Sequence, residues 1–227
     1  MLSSTAGLLA RVATFLDANR NISYSQEGED MVLSRFLEGR KTGFYVDVGA
    51  HHPIRFSNTF LFYERGWRGI NIEPSPMAVE QFNRLRRRDI NVENGVGEAP
   101  GELTYYMFDD PALNTFDKAL MRERETRTPY RVVGTTSVMI ERLETILREN
   151  LPQGRMIDFL SVDVEGFDLQ VLRSNNWSQY RPQFVLVEAL DFKLERASQH
   201  PVHIFMNGVG YELIAKTLNT LFYREIK

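Results

Sequence analysis

The feature that most limits what this chain can fold into is a regular alternation: short, nearly continuous apolar runs, each followed by a longer stretch of helical pattern. The runs at 44–48, 69–72, 157–162 and 184–187 have too few polar positions to leave either face in water, as strands covered on both sides of a parallel sheet require. Between them the apolar spacing predicts helices over 57–65, 75–87, 140–149, 166–175 and 201–209, with Ser75, Gly66 and Gly208 as capping residues. Such units join by right-handed crossovers. The expected class is therefore α/β, with a mostly parallel sheet and helices on both faces. Two weaker strands, 102–108 and 131–138, flank the charged segment 109–130, which lacks apolar periodicity and reads as a lid or substrate loop, or equally as a solvated surface excursion. Residues 211–215 and 219–225 read as an antiparallel pair at one sheet edge.

Composition removes several chemistries. The 227 residues include no cysteine, so thiolate nucleophiles and cysteine-held zinc or iron-sulfur sites are excluded. A net charge of -3 gives no basic face for nucleic acid or an anionic membrane. No stretch approaches the roughly 20 apolar residues of a membrane span. At the N-terminus Leu8, Leu9, Val12, Phe15 and Leu16 recur at helical spacing but are interrupted by Arg11 and Asp17. That reads as an amphipathic helix over 1–19 rather than a signal peptide, and the expected location is cytoplasmic. No interdomain linker stands out, so residues 1–227 are read as one domain, with 1–40 as an N-terminal helical segment over the ligand site.

The most informative segment is GFYVDVGAHHP, a buried strand ending in Asp47, Val48, Gly49 and Ala50. A glycine there lets backbone approach a ligand at the carboxyl edge of the sheet, where open α/β folds bind nucleotides. The fuller GxGxxG loop that cradles a pyrophosphate is missing. The next strand ends at Glu73 in RGINIEPSP, where a carboxylate can bridge the two hydroxyls of a ribose. Together these favour S-adenosyl-L-methionine over NAD. The alternatives are that Asp47 caps the following helix and that Glu73 is a surface acid before a proline turn.

Beyond that pair, SVDVEGFD sets Asp163 and Glu165 two residues apart at the end of a buried strand, where side chains share a face. Two close carboxylates either share a proton or hold a cation such as Mg2+, with Glu188 at the end of the next strand as a third ligand. The competing assignment is capping of the helix that begins near Gly166. His51 and His52 follow the glycine turn, and His52 is a candidate base; each could equally pack and hydrogen-bond. Arg122, Arg124, Arg127 and Arg131 would suit an acidic acceptor but read first as a solvated face. Trp67 and Trp177 read as core-edge anchors, and His200 and His203 as structural.

The segments YSQEGED from Tyr24, VDVGAHHP, FSNTFLFYERGWRGINIEPSP and IDFLSVDVEGFDLQVLRSNNW, ending at Trp177, together resemble the FkbM-type methyltransferase family. The resemblance implies a Rossmann-like class I methyltransferase fold with a seven-stranded sheet and an antiparallel C-terminal edge. It also implies S-adenosylmethionine as cofactor and transfer to a hydroxyl of a sugar, glycan or natural product. By position, Asp47, Gly49, Ala50 and Glu73 are the cofactor residues, with Pro74 shaping the turn, Ser57 and Asn58 near the methionine end, and Ser25, Gln26, Gly28 and Asp30 closing over the cofactor. His51 stands where asparagine is expected. The acid that reads adenine after the third strand is absent around Asn94, which leaves backbone near Val96 for that role. An NAD-dependent oxidoreductase and a non-catalytic Rossmann-like binding protein remain as alternatives, and a homo-oligomer is compatible with either.

Overall fold

The computed structural model describes residues 21–226; the expected helix over 1–19 lies outside them. Seven strands form the main sheet. β1 (Phe44–Val48), β2 (Arg68–Glu73), β3 (Ile90–Glu93), β7 (Phe159–Val162) and β8 (Phe184–Glu188) are parallel, in the order β3-β2-β1-β7-β8. β9 (Tyr211–Lys216) and β10 (Thr220–Glu225) complete the order as β10-β9, with β10 antiparallel to both neighbours. The C-terminal hairpin therefore sits at the edge as expected, with its second strand inserted between β8 and β9.

Burial of both sheet faces explains why the four central strands were legible. Val46, Ile70 and Val185 have no solvent exposure and Leu160 has 1%. On one face they meet α5 (Leu143–Asn150), α6 (Asp168–Arg173) and α7 (Pro201–Gly208) through Leu143, Ile146, Val171, Leu172, Val202 and Met206. On the other, α1 (Glu29–Phe36) and α2 (Phe60–Glu64) pack Leu33, Leu37, Leu61 and Phe62 against Trp67, Phe159 and Phe222. Trimming one of these rings, as in Phe159→Ala, costs about 3–5 kcal/mol. α3 (Pro76–Leu85) lies between β2 and β3 in sequence, with Pro76 at its first turn.

The two weaker strands are not in the main sheet. β5 (Gly101–Phe108) and β6 (Val132–Glu141) form a separate three-stranded sheet with the short β4 (Gly95–Val96). The helix expected from residue 140 consequently begins three residues later, because Ile140 and Glu141 finish β6. Segment 109–130 is ordered rather than an open loop. It holds a 3-10 turn (Pro111–Leu113) and α4 (Lys118–Arg127), whose first amides at Ala119 and Leu120 are capped by Asp117 at 2.7 and 3.1 Å.

Candidate functional site

The chain reverses its direction of travel across the sheet beside β1, and the carboxyl ends of β1, β2, β7 and β8 open there into a cleft. This is where doubly wound sheets bind ligands. Seven carboxylates line it: Glu27, Glu29, Asp47, Glu73, Asp163, Glu165 and Glu188. No lysine or arginine does so among the described residues.

On the β1–β2 side the acids are held. The amides of Gly49 and Ala50 both donate to the carbonyl of Ile72, which turns the chain away from β1. Gly49 has φ +78°, and a Cβ there would fall 1.8 Å from the carbonyl oxygen of Asp163. The glycine is therefore required first by close approach of the β7 loop. Asp47 accepts from Thr59 Oγ1 at 2.9 Å. Burial raises its carboxyl to about 6, against the pull of Thr59, Arg86 and Ser161. Glu73 accepts from the amide of His51 at 2.9 Å and the amide of Ser75 at 3.0 Å. Burial lifts it to about 7 in spite of those bonds. Neither acid has the alternative role considered from sequence: Asp47 receives the hydroxyl of the residue preceding α2 rather than its amides, and Glu73 is buried.

On the β7–β8 side the acids crowd. Asp163, Glu165 and Glu188 each place a carboxylate oxygen within 4.8 Å of the other two. Strand alternation is not the reason, because β7 stops at Val162 and Glu165 has φ +53° in the following turn. Nor do Asp163 and Glu165 cap α6. Asp168 takes the amides of Val164 and Gly166, each at 3.2 Å. Arg124 of α4 forms an ion pair with Glu165, and Thr115 donates to the Glu165 carbonyl at 2.8 Å. Segment 109–130 is thus pinned to the cleft, and Arg124 is its one buried arginine, while Arg122, Arg127 and Arg131 are exposed. Among the described residues no hydrogen-bond donor reaches the carboxylates of Asp163 or Glu188, and burial followed by mutual repulsion raises Asp163 well above its usual range and Glu188 to about 11.

A polar strap of residues 23–30 crosses the same edge. Glu27 accepts from the amide and side chain of Asn219 at 2.8 and 2.9 Å, and Glu29 from Thr217 at 2.9 Å, so the strap is fastened to the β9–β10 turn. Asp30 organises the strap internally, accepting from Ser23, the amide of Tyr24, and Ser25 at 2.6, 2.7 and 2.9 Å.

Of the cofactor positions expected from sequence, Gln26, Asp47, Gly49, Ala50, Ser57, Asn58, Glu73 and Pro74 line the cleft. Asp30 does not, its carboxylate being spent within the strap. Val96 is buried in the apolar core and pairs with Glu141 through β4. His52 is also turned away: its Nδ1 accepts the amides of Ile54 and Arg55 at 3.0 and 2.9 Å, closing a turn. His51 is the histidine that faces the cleft, at φ +53°, and desolvation holds its pKa below the ordinary value, with His52 and Arg55 adding to the effect. Phe56 and Tyr105 also line the cleft, as do Asn114 and Phe116 of segment 109–130, and no sequence pattern singles out any of the four. His200 and His203 bond Asp191 and Tyr223, and Trp67 and Trp177 are buried in the two core layers, as read from sequence.

Residues 47–213 match the family model described as the methyltransferase FkbM domain. No curated protein sequence matches the chain. Similar solved structures include the C-terminal domain of precorrin-6Y C5,15-methyltransferase from Rhodobacter capsulatus, 12% identical over 87% of this chain and 88% of that one, TM-score 0.44. A TehB-like SAM-dependent methyltransferase from Corynebacterium glutamicum is 9% identical over 100% of both chains, TM-score 0.40. Precorrin 8w decarboxylase from Methanobacterium thermoautotrophicum is 15% identical over 87% of this chain and 89% of that one, TM-score 0.41. Among the described residues no helix is long and apolar enough to cross a membrane.

Proposed function

The chain belongs to the methyltransferase FkbM domain family, whose members depend on S-adenosylmethionine, and from that premise we propose that it methylates a hydroxyl oxygen of a sugar, glycan or hydroxylated natural product. The observation that carries the reading is the acidic lining of the cleft, seven carboxyl groups with no lysine or arginine beside them among the described lining residues. S-Adenosylmethionine bears a sulfonium and an ammonium against a single carboxylate, and such a lining suits its net positive charge. The pyrophosphate of NAD would face the same carboxylates with nothing to neutralise it, which argues against the oxidoreductase alternative.

When bound, the cofactor supplies a methyl group on a positively charged sulfur. Glu73 is suited to the ribose hydroxyls and Asp47 to the cationic end, with Gly49, Ala50, Pro74, Ser57 and Asn58 shaping the walls. Asp163 is the base in this reading. Glu188 carries the resident proton of the crowded pair, Glu165 is neutralised by Arg124, and Asp163 would take the acceptor's hydroxyl proton, leaving that oxygen to receive the methyl group the cofactor would supply. A raised pKa makes Asp163 the stronger base. His52, engaged in its turn, has no part in this scheme.

A divalent cation bridging Asp163, Glu165 and Glu188 is the second arrangement these oxygens allow. The guanidinium of Arg124 in the same cluster opposes it, so proton sharing is preferred and no step is assigned to a metal. The test is mass spectrometry of hydroxylated acceptors incubated with enzyme and S-adenosylmethionine. A gain of one methyl on oxygen supports the reading; methylation confined to nitrogen or carbon, or none with any acceptor, contradicts it.

A further inference from the structure

Arg86 follows α3 directly and has no solvent exposure. It does not line the cleft, and all three of its nitrogens are spent on groups of the surrounding chain. Nε donates to Asp89 Oδ2 at 3.0 Å and Nη1 to the carbonyl of Pro53 at 2.9 Å. Nη2 donates to Tyr45 OH at 2.7 Å and to Thr59 Oγ1 at 3.0 Å. A guanidinium can only donate. Thr59 must therefore accept from Arg86, and the single proton of its hydroxyl is left to point at Asp47 Oδ2, 2.9 Å away. Ser57 Oγ, 3.2 Å from Thr59 Oγ1, already accepts the amides of Thr59 and Phe60 at 3.3 and 3.1 Å, which occupies both of its lone pairs, and does not compete for that proton. The bond to Pro53 meanwhile fixes the turn that carries His51, the amide partner of Glu73. One buried cation thus anchors the surroundings of both acids assigned to the cofactor.

We propose that Thr59, backed by Arg86, is a positioning residue that fixes the Asp47 carboxylate for the cationic end of the cofactor. The inference rests on the cofactor reading above and adds to it two residues that touch neither cofactor nor acceptor. The charged groups facing Asp47 are Arg86 and Asp89 from the end of α3, Glu73 from β2 and Asp163 from the end of β7. Burial is the main force raising the Asp47 carboxyl, and the Thr59 bond is the largest force opposing it. Removing that hydroxyl therefore favours the protonated acid, which attracts a cation less.

The experiment is calorimetric titration of S-adenosylhomocysteine, which keeps the ammonium, across neutral pH into wild type, Thr59→Val and Thr59→Ser. Thr59→Val keeps the side-chain shape, which protects folding, and a thermal melt of each variant confirms it. The expected result is that the rise of affinity with pH moves up by about one to two pH units in Thr59→Val. Affinity at about pH 6.5 then falls about tenfold, while the alkaline plateau stays within about threefold. Thr59→Ser restores the wild-type profile. Glu73 titrates in the same window but contributes equally to all three profiles. In an Asp47→Asn background the Val substitution should produce no pH shift. A Thr59→Val protein that melts lower but keeps the wild-type profile would overturn the proposal, as would a shift that persists with Asn at 47. The carboxyl carbon resonance of Asp47 in the unliganded protein reads the same displacement without any ligand. Wild-type protein that binds no S-adenosylhomocysteine while its Asp47 resonance still responds to Thr59→Val would sink the cofactor reading and leave the positioning role standing.

Discussion

The two halves of the cleft treat their carboxylates in opposite ways. On the β1–β2 side, Asp47 and Glu73 are buried but partnered by hydroxyls and amides, and their carboxyls lie near 6 and 7. On the β7–β8 side, Asp163 and Glu188 are crowded with no donor among the described residues, and Glu188 rises to about 11. Acids tied by fixed donors are suited to grip a ligand; acids left in mutual repulsion are suited to hold and move a proton. The backbone marks the same place. His51, Phe56 and Glu165, the described non-glycine residues with positive φ, all line this cleft, where strain is tolerated because the surrounding packing fixes it.

The contrast predicts separable losses. The largest effect is expected from Asp163→Asn, which removes the base: turnover should fall about 10²–10⁴-fold while S-adenosylhomocysteine binding stays within about threefold, an enthalpy-based affinity measurement and a rate assay on one preparation being sufficient to see both. Glu73→Ala should do the reverse, weakening cofactor binding by about ten- to a hundredfold through loss of a charged hydrogen-bond acceptor. If the two variants exchange these phenotypes, the roles of the two halves are exchanged.

Acidity sharpens the comparison next. With Asp47 at about 6 and Glu73 at about 7, a cationic cofactor should bind more weakly as pH falls through that window, by up to about tenfold per unit, and level off above it. A flat profile from titrations at several pH values would mean that these carboxylates do not face the cofactor's charge.

Stability gives a smaller effect of opposite origin. Glu188 is raised from 4.5 to about 11, so between those values the folded state holds a proton that the unfolded state has released, and stability declines as pH rises across that range. Glu188→Gln removes the ionisable group, and its melting temperature should exceed wild type by a few degrees at alkaline pH, with the gain shrinking toward acid. A lower melting temperature throughout would indicate that Glu188 is a partnered structural acid. Smallest of all, chelation should leave activity unchanged; loss on chelation with recovery on adding Mg2+ would reinstate the bridged-cation arrangement.

The central strands were legible because burial on both faces leaves nothing but apolar residues in Phe44–Val48 and its neighbours. β3, with sequence INVE, was not, since it is a partly exposed edge strand whose Asn91 answers the buried Asn71 by a 2.8 Å side-chain bond rather than by apolar packing. α4 was missed because KALMRERETR has no apolar stripe; Asp117 and the buried Arg124 hold it instead. Strand-end acids were found from position alone, but how Asp163 and Glu165 converge depends on a positive φ no pattern announces. Two adjacent histidines could not be told apart without it either. Arg86 had a usable signal: it continues the buried spacing of Val79 and Phe82 along α3, and the RRR run concealed it.

The central claim is that this acidic edge holds a sulfonium cofactor. Calorimetric titration of the folded wild-type protein with S-adenosylmethionine and, in parallel, with NADH tests it most directly. One equivalent of S-adenosylmethionine should bind and NADH should give no heat of binding; saturable binding of NADH with none of S-adenosylmethionine would contradict the account.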